Sequence, residues 1–284
     1  MLVEICIDRF ESARAARLGG ADRVEVCAAL EVGGLTPGLG LVERCVKLGD
    51  LGVMVMIRPH AGGFDYRDDD WHTMLRDLAA VKQLGVQGVV FGALTSEGQI
   101  DRRRCEQFLA AARPLEVTFH RAFDLTADPL AALEDLIDLG VDRILTSGQA
   151  PTAWEGRALI RRLVDRAENR ISIMPGAGVN PTNVADLVRA TEVVEVHGSA
   201  SQPETSLDPA RTRSTRATEA TASLTPAHSN EPEPHSRSTD DDAPRLDFVH
   251  PTRLTRTEMV RALVDAARDA TVVGGPERNG DVPR

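Results

Sequence analysis

Eight short apolar segments alternate with amphipathic segments of helical periodicity along the first 200 residues of this 284-residue chain. The apolar segments are rich in Val and Ile, which favour strands. They cover residues 2–7, 23–27, 53–57, 88–91, 115–119, 143–145, 171–174 and 193–196. Strands that are joined through helices pair in parallel, and eight such units are the number that closes a barrel. The sequence therefore predicts an α/β fold, a (β/α)8 TIM barrel.

Capping signals give the helix boundaries. Asp8 is a candidate N-cap for the first helix, which the pair Gly19-Gly20 ends. The sequence predicts later helices over residues 71–84, 102–112, 129–139, 154–167 and 181–190. Glycine and proline interrupt residues 28–40 and 59–70, so we expect long loops there at the mouth of the barrel, the second one a candidate lid.

The composition changes after residue 200. Leu207 and Leu224 are the only large apolar residues in 201–245, which cannot bury enough surface to offset the entropy of ordering. We therefore expect barrel strands 1–8 and helices 1–7 in residues 1–200, followed by a disordered insertion over 201–245. The last barrel helix should lie in the segment 246–273, where its periodicity covers 256–270. Residues 274–284 should form a flexible tail. The insertion is either a tolerated surface loop or a regulatory segment.

Charge and apolar content exclude several classes of partner. The formal net charge is -10 and the pI about 5.2, which disfavours nucleic acid as a partner. No apolar stretch approaches 18 residues, and the first residues lack the apolar core of a signal peptide. We expect a cytoplasmic protein without membrane contact, in which the four cysteines are free thiols.

The carboxyl ends of the predicted strands carry thiols, imidazoles and a guanidinium. These residues are Cys6, Cys27, Arg58, His120, Thr146, Gly176 and His197. Since positions two apart share a face of a strand, four strands present polar pairs on one face: Glu4 with Cys6, Glu25 with Cys27, Thr118 with His120, and Glu195 with His197. If these pairs point inward, Arg58 is the natural counter-ion. Alternatively, Glu4 and Glu195 form buried ion pairs within the barrel.

Acid-base chemistry is one possible use of this mouth. The chain has only two lysines, both on predicted outer helices, which disfavours a Schiff-base aldolase. Glu25, Arg58, His120 and His197 are the candidate catalytic residues. The carboxylate and imidazoles would supply a base and an acid, and Arg58 would stabilise an oxyanion or a substrate carboxylate.

Glycine-rich loops after the last strands indicate an anion site. In barrels of this type the loops after strands seven and eight often hold a phosphate through backbone N–H groups. The candidate ligand-binding residues are Thr146, Ser147, Gly176, Gly178, Gly198 and Ser199. The alternative is that the glycines only serve tight turns.

Metal binding is a further possibility. Cys6 and Cys27 lie on adjacent predicted strands at similar height, with Met54, Met56, His120 and His197 as further donors. Thiolate and thioether ligands favour copper(I), whereas imidazole also suits zinc and copper(II). No CxxC, HxH or HExxH motif is present, and a buried cysteine also packs as a small hydrophobic residue.

Seven segments of the chain together resemble the CutC family of copper homeostasis proteins. They are residues 20–27, 33–37, 57–59, 117–124, 145–149, 176–179 and 194–197. The resemblance covers residues 1 to about 201. It implies a cytoplasmic (β/α)8 barrel that is commonly oligomeric, which we expect as a dimer or tetramer. It also implies copper(I) binding through Cys6 and Cys27, and we expect no organic cofactor.

Two hypotheses for function follow. The first is a copper homeostasis protein that binds copper(I) at the mouth of the barrel. The second is a TIM-barrel enzyme, an acid-base or metal-assisted lyase, isomerase or hydrolase, that acts on a small phosphorylated or carboxylated metabolite. The second predicts an oxyanion or phosphate between Gly178 and Ser199. A barrel that serves only protein contacts leaves the polar mouth without a role.

Overall fold

A computed structural model describes residues 1–203 and 253–272 of the chain. Eight parallel strands form one sheet: β1 Leu2–Ile7, β2 Arg23–Val26, β3 Gly52–Met56, β4 Gly88–Phe91, β5 Glu116–Phe119, β6 Arg143–Thr146, β7 Ser172–Pro175 and β8 Glu195–Gly198. Neighbouring strands are hydrogen-bonded in the order β7-β6-β5-β4-β3-β2-β1-β8. Because β7 and β8 also lie side by side, the sheet is a nearly closed barrel, which confirms the predicted fold.

A helix follows each strand of the barrel. The helices are α1 Phe10–Gly19, α2 Leu39–Val46, α3 Asp68–Lys82, α4 Arg102–Ala112, α5 Pro129–Leu139, α6 Arg157–Ala167, α7 Val184–Thr191 and α8 Thr257–Val272. Short 3-10 helices occupy Leu30–Val32 and Arg121–Leu125. Helix α8 packs between α1 and α7 and so completes the outer ring, as expected for the last helix of a barrel.

Capping at the first helix was predicted correctly at one end only. Gly20 adopts a left-handed conformation with φ of +88°, and its N–H donates to the carbonyls of Ala16 and Arg17, which ends α1 as expected. The prediction of Asp8 as N-cap is wrong, because Arg9 holds that position and its side chain makes no capping hydrogen bond.

Successive side chains of a strand point alternately toward the surrounding helices and into the barrel, so the two faces of the sheet lie in different environments. Val3 and Ile5 of β1 are completely buried in the main hydrophobic core with the helices. Glu4 lies between them on the opposite face, inside the barrel, where it contacts other strands. Met54 and Met56 of β3 belong to a separate small cluster with Cys27. The barrel interior is therefore polar and sulfur-rich, while its outer face is apolar.

The region after β8 begins with regular structure. Strands β9 (Ser201–Pro203) and β10 (Arg253–Thr255) form a separate two-stranded sheet. Residues 201–203, which we expected to begin the disordered insertion, therefore form strand β9. From residue 204 onward that insertion, like the tail expected over 274–284, lies outside the described residues. Among the helices that the structure describes, none has the length and apolar character needed to cross a membrane.

Candidate functional site

A buried network of charges lies inside the barrel. Strand pairing places Glu4 beside both Arg23 and His197. Glu4 accepts a hydrogen bond from Nε of Arg23, and its second oxygen lies 2.7 Å from Nδ1 of His197. Nη2 of Arg23 donates to Glu195 at 2.6 Å. Arg143 donates to the same Glu195 carboxylate, with one contact of 3.1 Å.

These ion pairs decide one alternative left open by the sequence. Glu4 and Glu195 do point inward and form buried ion pairs. The expectation that Arg58 is their counter-ion is wrong, because Arg23 and Arg143 reach them from β2 and β6. Sequence reasoning missed both arginines, which stand at the starts of their strands. An arginine there usually extends to solvent.

The network sets the charge of its members. Burial alone raises the pKa of Glu4, but the charges of Arg23 and His197 outweigh burial and hold that pKa at about 2. Burial alone lowers the pKa of His197, yet Cys6 and the carboxylates of Glu4 and Glu25 raise it well above its usual value. Glu4 is therefore a carboxylate, and it stabilises a protonated His197 in the absence of any ligand.

Four predicted site residues converge at the carboxyl ends of β1, β2 and β8. We call Cys6, Glu25, Cys27 and His197 the thiol cluster. The ligand atoms of Cys6, Glu25 and His197 lie within 4.8 Å of one another. Cys27 Sγ donates to Glu25 Oε2 at 3.5 Å, and that oxygen is 3.8 Å from Nε2 of His197. Because Glu4 holds Nδ1, Nε2 is the nitrogen that faces this cluster.

Burial controls ionisation of the thiol cluster. The pKa of Cys27 is raised well above its usual value by burial and by the neighbouring carboxylate of Glu25. Burial also raises the pKa of Glu25, although His197 opposes the shift. One oxygen of Glu25, Oε1, is buried without a hydrogen-bond partner. Without a ligand, Cys27 is therefore a neutral thiol at physiological pH.

The loop after β2 covers the thiol cluster. An antiparallel bridge joins Ala28 to Leu35 and folds this loop back over the barrel. A Cβ atom placed on Gly34 would lie 3.1 Å from Cys27 Sγ and 3.4 Å from Cε of Met56. The backbone of the loop therefore lies directly against the thiol.

Comparison with known proteins identifies the group to which the chain belongs. The model of the CutC family matches residues 1–202. The chain belongs to the CutC family. A CutC protein of Glaesserella parasuis is 50% identical over 207 residues, which are 73% of this chain and 85% of that protein. The human copper homeostasis protein cutC homolog is 46% identical over 199 residues, 70% of this chain and 73% of the human protein.

A solved CutC structure has the same architecture. The crystal structure of CutC from Streptococcus agalactiae superposes with a TM-score of 0.68 at 34% identity and covers 70% of this chain and 98% of that one. The phosphoribosyl anthranilate isomerase of Thermotoga maritima superposes with a TM-score of 0.52 at 12% identity, which shows a shared fold alone. The fold of this CutC family member is thus supported by two independent comparisons.

Arg58 holds the mouth loops of this CutC barrel together. Its Nη1 donates to the carbonyls of Val32 at 2.9 Å and Gly34 at 3.2 Å, and its Nη2 donates to Gly62 at 3.1 Å. The guanidinium carbon lies 4.9 Å from the centroid of the Phe64 ring. Nε of Arg58 is buried without a partner. Arg58 is thus close to the thiol cluster through Gly34 but makes no ion pair with it.

His120 lies against the same phenylalanine. The His120 and Phe64 ring centroids are 4.9 Å apart. The N–H of Ala122 donates to His120 Nδ1 at 3.1 Å, and Nε2 is buried without a partner. Burial and the charge of Arg58 lower the pKa of His120 to about 3. The neutral ring therefore carries its proton on Nε2.

Thr146 and Ser147 are occupied by a carboxylate of the protein itself. Both hydroxyls and the N–H of Ser147 donate to Asp124, with distances of 2.5–3.1 Å. The N–H of Gln149 adds a contact at 3.3 Å. Asp124 thus fills the position where we expected these residues to bind an external anion. Sequence reasoning did not select Asp124, since a lone acidic residue in a loop carries no distinctive signal.

The glycine-rich loops take part in turns and packing. Gly176 donates to the carbonyl of Thr146 at 2.9 Å, and Gly178 adopts φ of +74°. A Cβ on Gly198 would lie 3.2 Å from Leu263 of α8. The Ser199 hydroxyl is 3.0 Å from that of Ser201. An anion-binding role for these four positions stays a prediction.

Proposed function

We propose that the chain is a copper homeostasis protein that binds copper(I) through Cys6, Cys27 and Nε2 of His197. The observation that carries the proposal is the convergence of Cys6, Glu25 and His197 within 4.8 Å, with Cys27 bound to the same glutamate. Two thiols and an imidazole on three adjacent strands of a barrel form a rigid donor set. The name of the human relative, a copper homeostasis protein, supports copper as the ligand.

The chemistry of the donors fits copper(I). Thiolate sulfur selects soft ions, and imidazole is compatible with them. Met56 adds a thioether side chain in the same small cluster as Cys27, and both lie next to Gly34. A carboxylate favours harder ions, so we assign Glu25 the role of hydrogen-bond acceptor for the Cys27 thiol in the copper-free protein rather than that of a copper ligand. Glu4 would orient His197 through Nδ1.

A competitive copper(I) titration tests this proposal. Purified protein would compete under anaerobic conditions with a chromogenic copper(I) chelator, and Cys6 and Cys27 would be changed together to Ser. We expect the affinity to fall by about 100-fold or more, because two ligands are lost. The matched control changes Cys45 and Cys105 to Ser, since they are the other two free thiols and lie buried on the outer helices α2 and α4. Equal affinities of the Cys6/Cys27 variant and the wild type would refute the proposal.

Other expectations stay predictions. They include a cytoplasmic location and a homo-oligomer, a dimer or tetramer. They also include acid-base catalysis by Glu25, Arg58, His120 and His197 on a small anionic metabolite. The specific observation in favour of a second ligand is the set of buried polar atoms without partners on Glu25, Arg58 and His120.

A further inference from the structure

Among the residues that the structure describes, Arg58 is a buried cation without a counter-charge. It is 6% exposed, its guanidinium donates to three backbone carbonyls, and the hydroxyl of Tyr66 beside it is buried and uncharged. In the ranges 1–203 and 253–272, no carboxylate lies within ion-pairing distance of it. A charge removed from water is costly unless it is paired, so this position favours a ligand that brings a negative charge.

His120 presents a second donor of the same kind. It is 4% exposed, and its Nδ1 already accepts a hydrogen bond from Ala122. Its Nε2–H is therefore a buried donor without an acceptor. The Nε–H of Arg58 is in the same condition. Two buried donors of this kind favour an incoming acceptor, and the cation favours an anionic one.

Phe64 contacts both groups, and the charge of Arg58 acts on His120. Its ring centroid is 4.9 Å from the guanidinium carbon of Arg58 and 4.9 Å from the His120 centroid. Phe64 is half-buried, and it stands in the β3–α3 loop just after the exposed residues 61–63. Two of these three are glycines without side chains, so little of the loop separates Phe64 from solvent.

We propose that Arg58 and His120 bind an anionic oxygen, carboxylate or phosphate, of a small molecule beneath the β3–α3 loop. The Nε–H of Arg58 and the Nε2–H of His120 donate to it, and the Phe64 ring packs against the ligand. This site goes beyond the proposed copper function. It shares no residue with the thiol cluster, although the two are neighbours: Nη1 of Arg58 donates to the carbonyl of Gly34, and Gly34 lies against Cys27.

The test uses the full chain without metal and two probes, malonate and inorganic phosphate. With 15N-labelled histidine, NMR follows the His120 side-chain nitrogens during each titration. We expect a saturable shift of Nε2 with at least one probe. A response to malonate alone assigns a carboxylate ligand, and a response to phosphate alone assigns a phosphate ligand. Absence of a saturable shift with both probes overturns the proposal.

Variants connect the shift to the two donors. Arg58→Lys keeps a charge but lacks the Nε–H donor, and we expect the probe to bind at least about tenfold more weakly. The control is Arg44→Lys, because Arg44 also stacks on an aromatic ring, that of Phe10, and this pair lies on the outer helices α2 and α1. Binding that is equally tight in Arg58→Lys contradicts the proposal.

A second variant keeps the test decisive if Arg58→Lys fails to fold. His120→Gln would be titrated with the same probe by calorimetry, with circular dichroism to check the fold. Weaker binding by about tenfold supports the proposal, and unchanged binding overturns it. Because no copper is present, these results are independent of the copper titration above.

Discussion

Nδ1 of His197 lies 2.7 Å from Oε1 of Glu4, and both side chains are buried inside the barrel. This contact fixes the orientation of the imidazole and directs Nε2 toward Cys6 and Glu25. A carboxylate that holds one nitrogen of a histidine commonly supports metal binding by the other nitrogen. Glu4 therefore connects the buried charge network to the thiol cluster.

Glu4→Gln tests that connection. We expect copper(I) affinity to fall by about 10- to 100-fold although both thiols remain, because His197 loses its orienting carboxylate. Urea unfolding would also show a loss of about 3–5 kcal/mol, since Arg23 stays buried with one partner fewer. The control is Glu195→Gln, which weakens the pairing of Arg23 without contacting His197. A similar loss of copper affinity in both variants would contradict an orienting role for Glu4.

Copper affinity should increase with pH. The Cys27 thiol and the His197 imidazole both have raised pKa values, so each is protonated near neutrality and must lose a proton when it binds copper. Copper binding therefore releases protons, and a higher pH favours the bound state. Chelator competition between pH 6 and pH 8 would measure this slope, which Cys27→Ser should reduce. An affinity that stays constant across this range would exclude Cys27 as a ligand that ionises on binding.

His120 makes stability depend on pH. Its pKa is about 3 in the folded protein and near 6.5 in the unfolded chain. Below pH 6.5 the unfolded state binds a proton that the folded state does not, so the free energy of unfolding falls as pH decreases. From pH 7.5 to pH 5 this contribution is about 2 kcal/mol.

Urea unfolding at these two pH values checks the role of His120. His120→Gln should lose about 2 kcal/mol less than the wild type over this interval. His72→Gln is the control, because His72 is exposed on α3 and should leave the pH dependence unchanged. The same pH dependence in His120→Gln and the wild type would show that His120 does not titrate as we describe.

Gly34 is required by the close approach of its loop to Cys27. Its φ is +89°, and an added Cβ would lie 3.1 Å from Cys27 Sγ. We expect Gly34→Ala to lower the free energy of unfolding by about 1–3 kcal/mol. Gly38→Ala serves as the control, because Gly38 has φ of −65° and open space around its Cα. Thermal or urea unfolding of both variants would show whether the two glycines differ as expected.

The sequence predicted most of the fold because each strand and helix has its own periodicity. Helices α4 and α5 begin and end where the pattern placed them, at residues 102–112 and 129–139. The last helix, expected at 256–270, covers Thr257–Val272. The start of α1 was misplaced, because Asp8 suits a capping role that the backbone assigns to Arg9. The backbone conformation at the start of α1 depends on how the chain leaves strand β1, and the residue pattern around Asp8 carries no information about that.

The candidate site was predictable only where strand alternation determines it. Cys6, Glu25 and His197 occur on strands, so their faces followed from the period of two. The reach of Arg23 across the barrel to Glu195 was not predictable, because it depends on the packing between nonadjacent strands. Phe64 was missed for another reason: it lies in a loop without periodicity, and its contacts with Arg58 and His120 exist only in the folded barrel.

X-ray absorption spectroscopy of the copper(I)-loaded protein tests the central claim most directly, because it reports the atoms bound to the metal. The thiol cluster predicts sulfur atoms bound to copper in the wild type, together with imidazole scattering that disappears in His197→Ala. The sulfur signal should be lost when Cys6 and Cys27 are changed to Ser. A wild-type spectrum with only nitrogen or oxygen bound to copper would contradict the account.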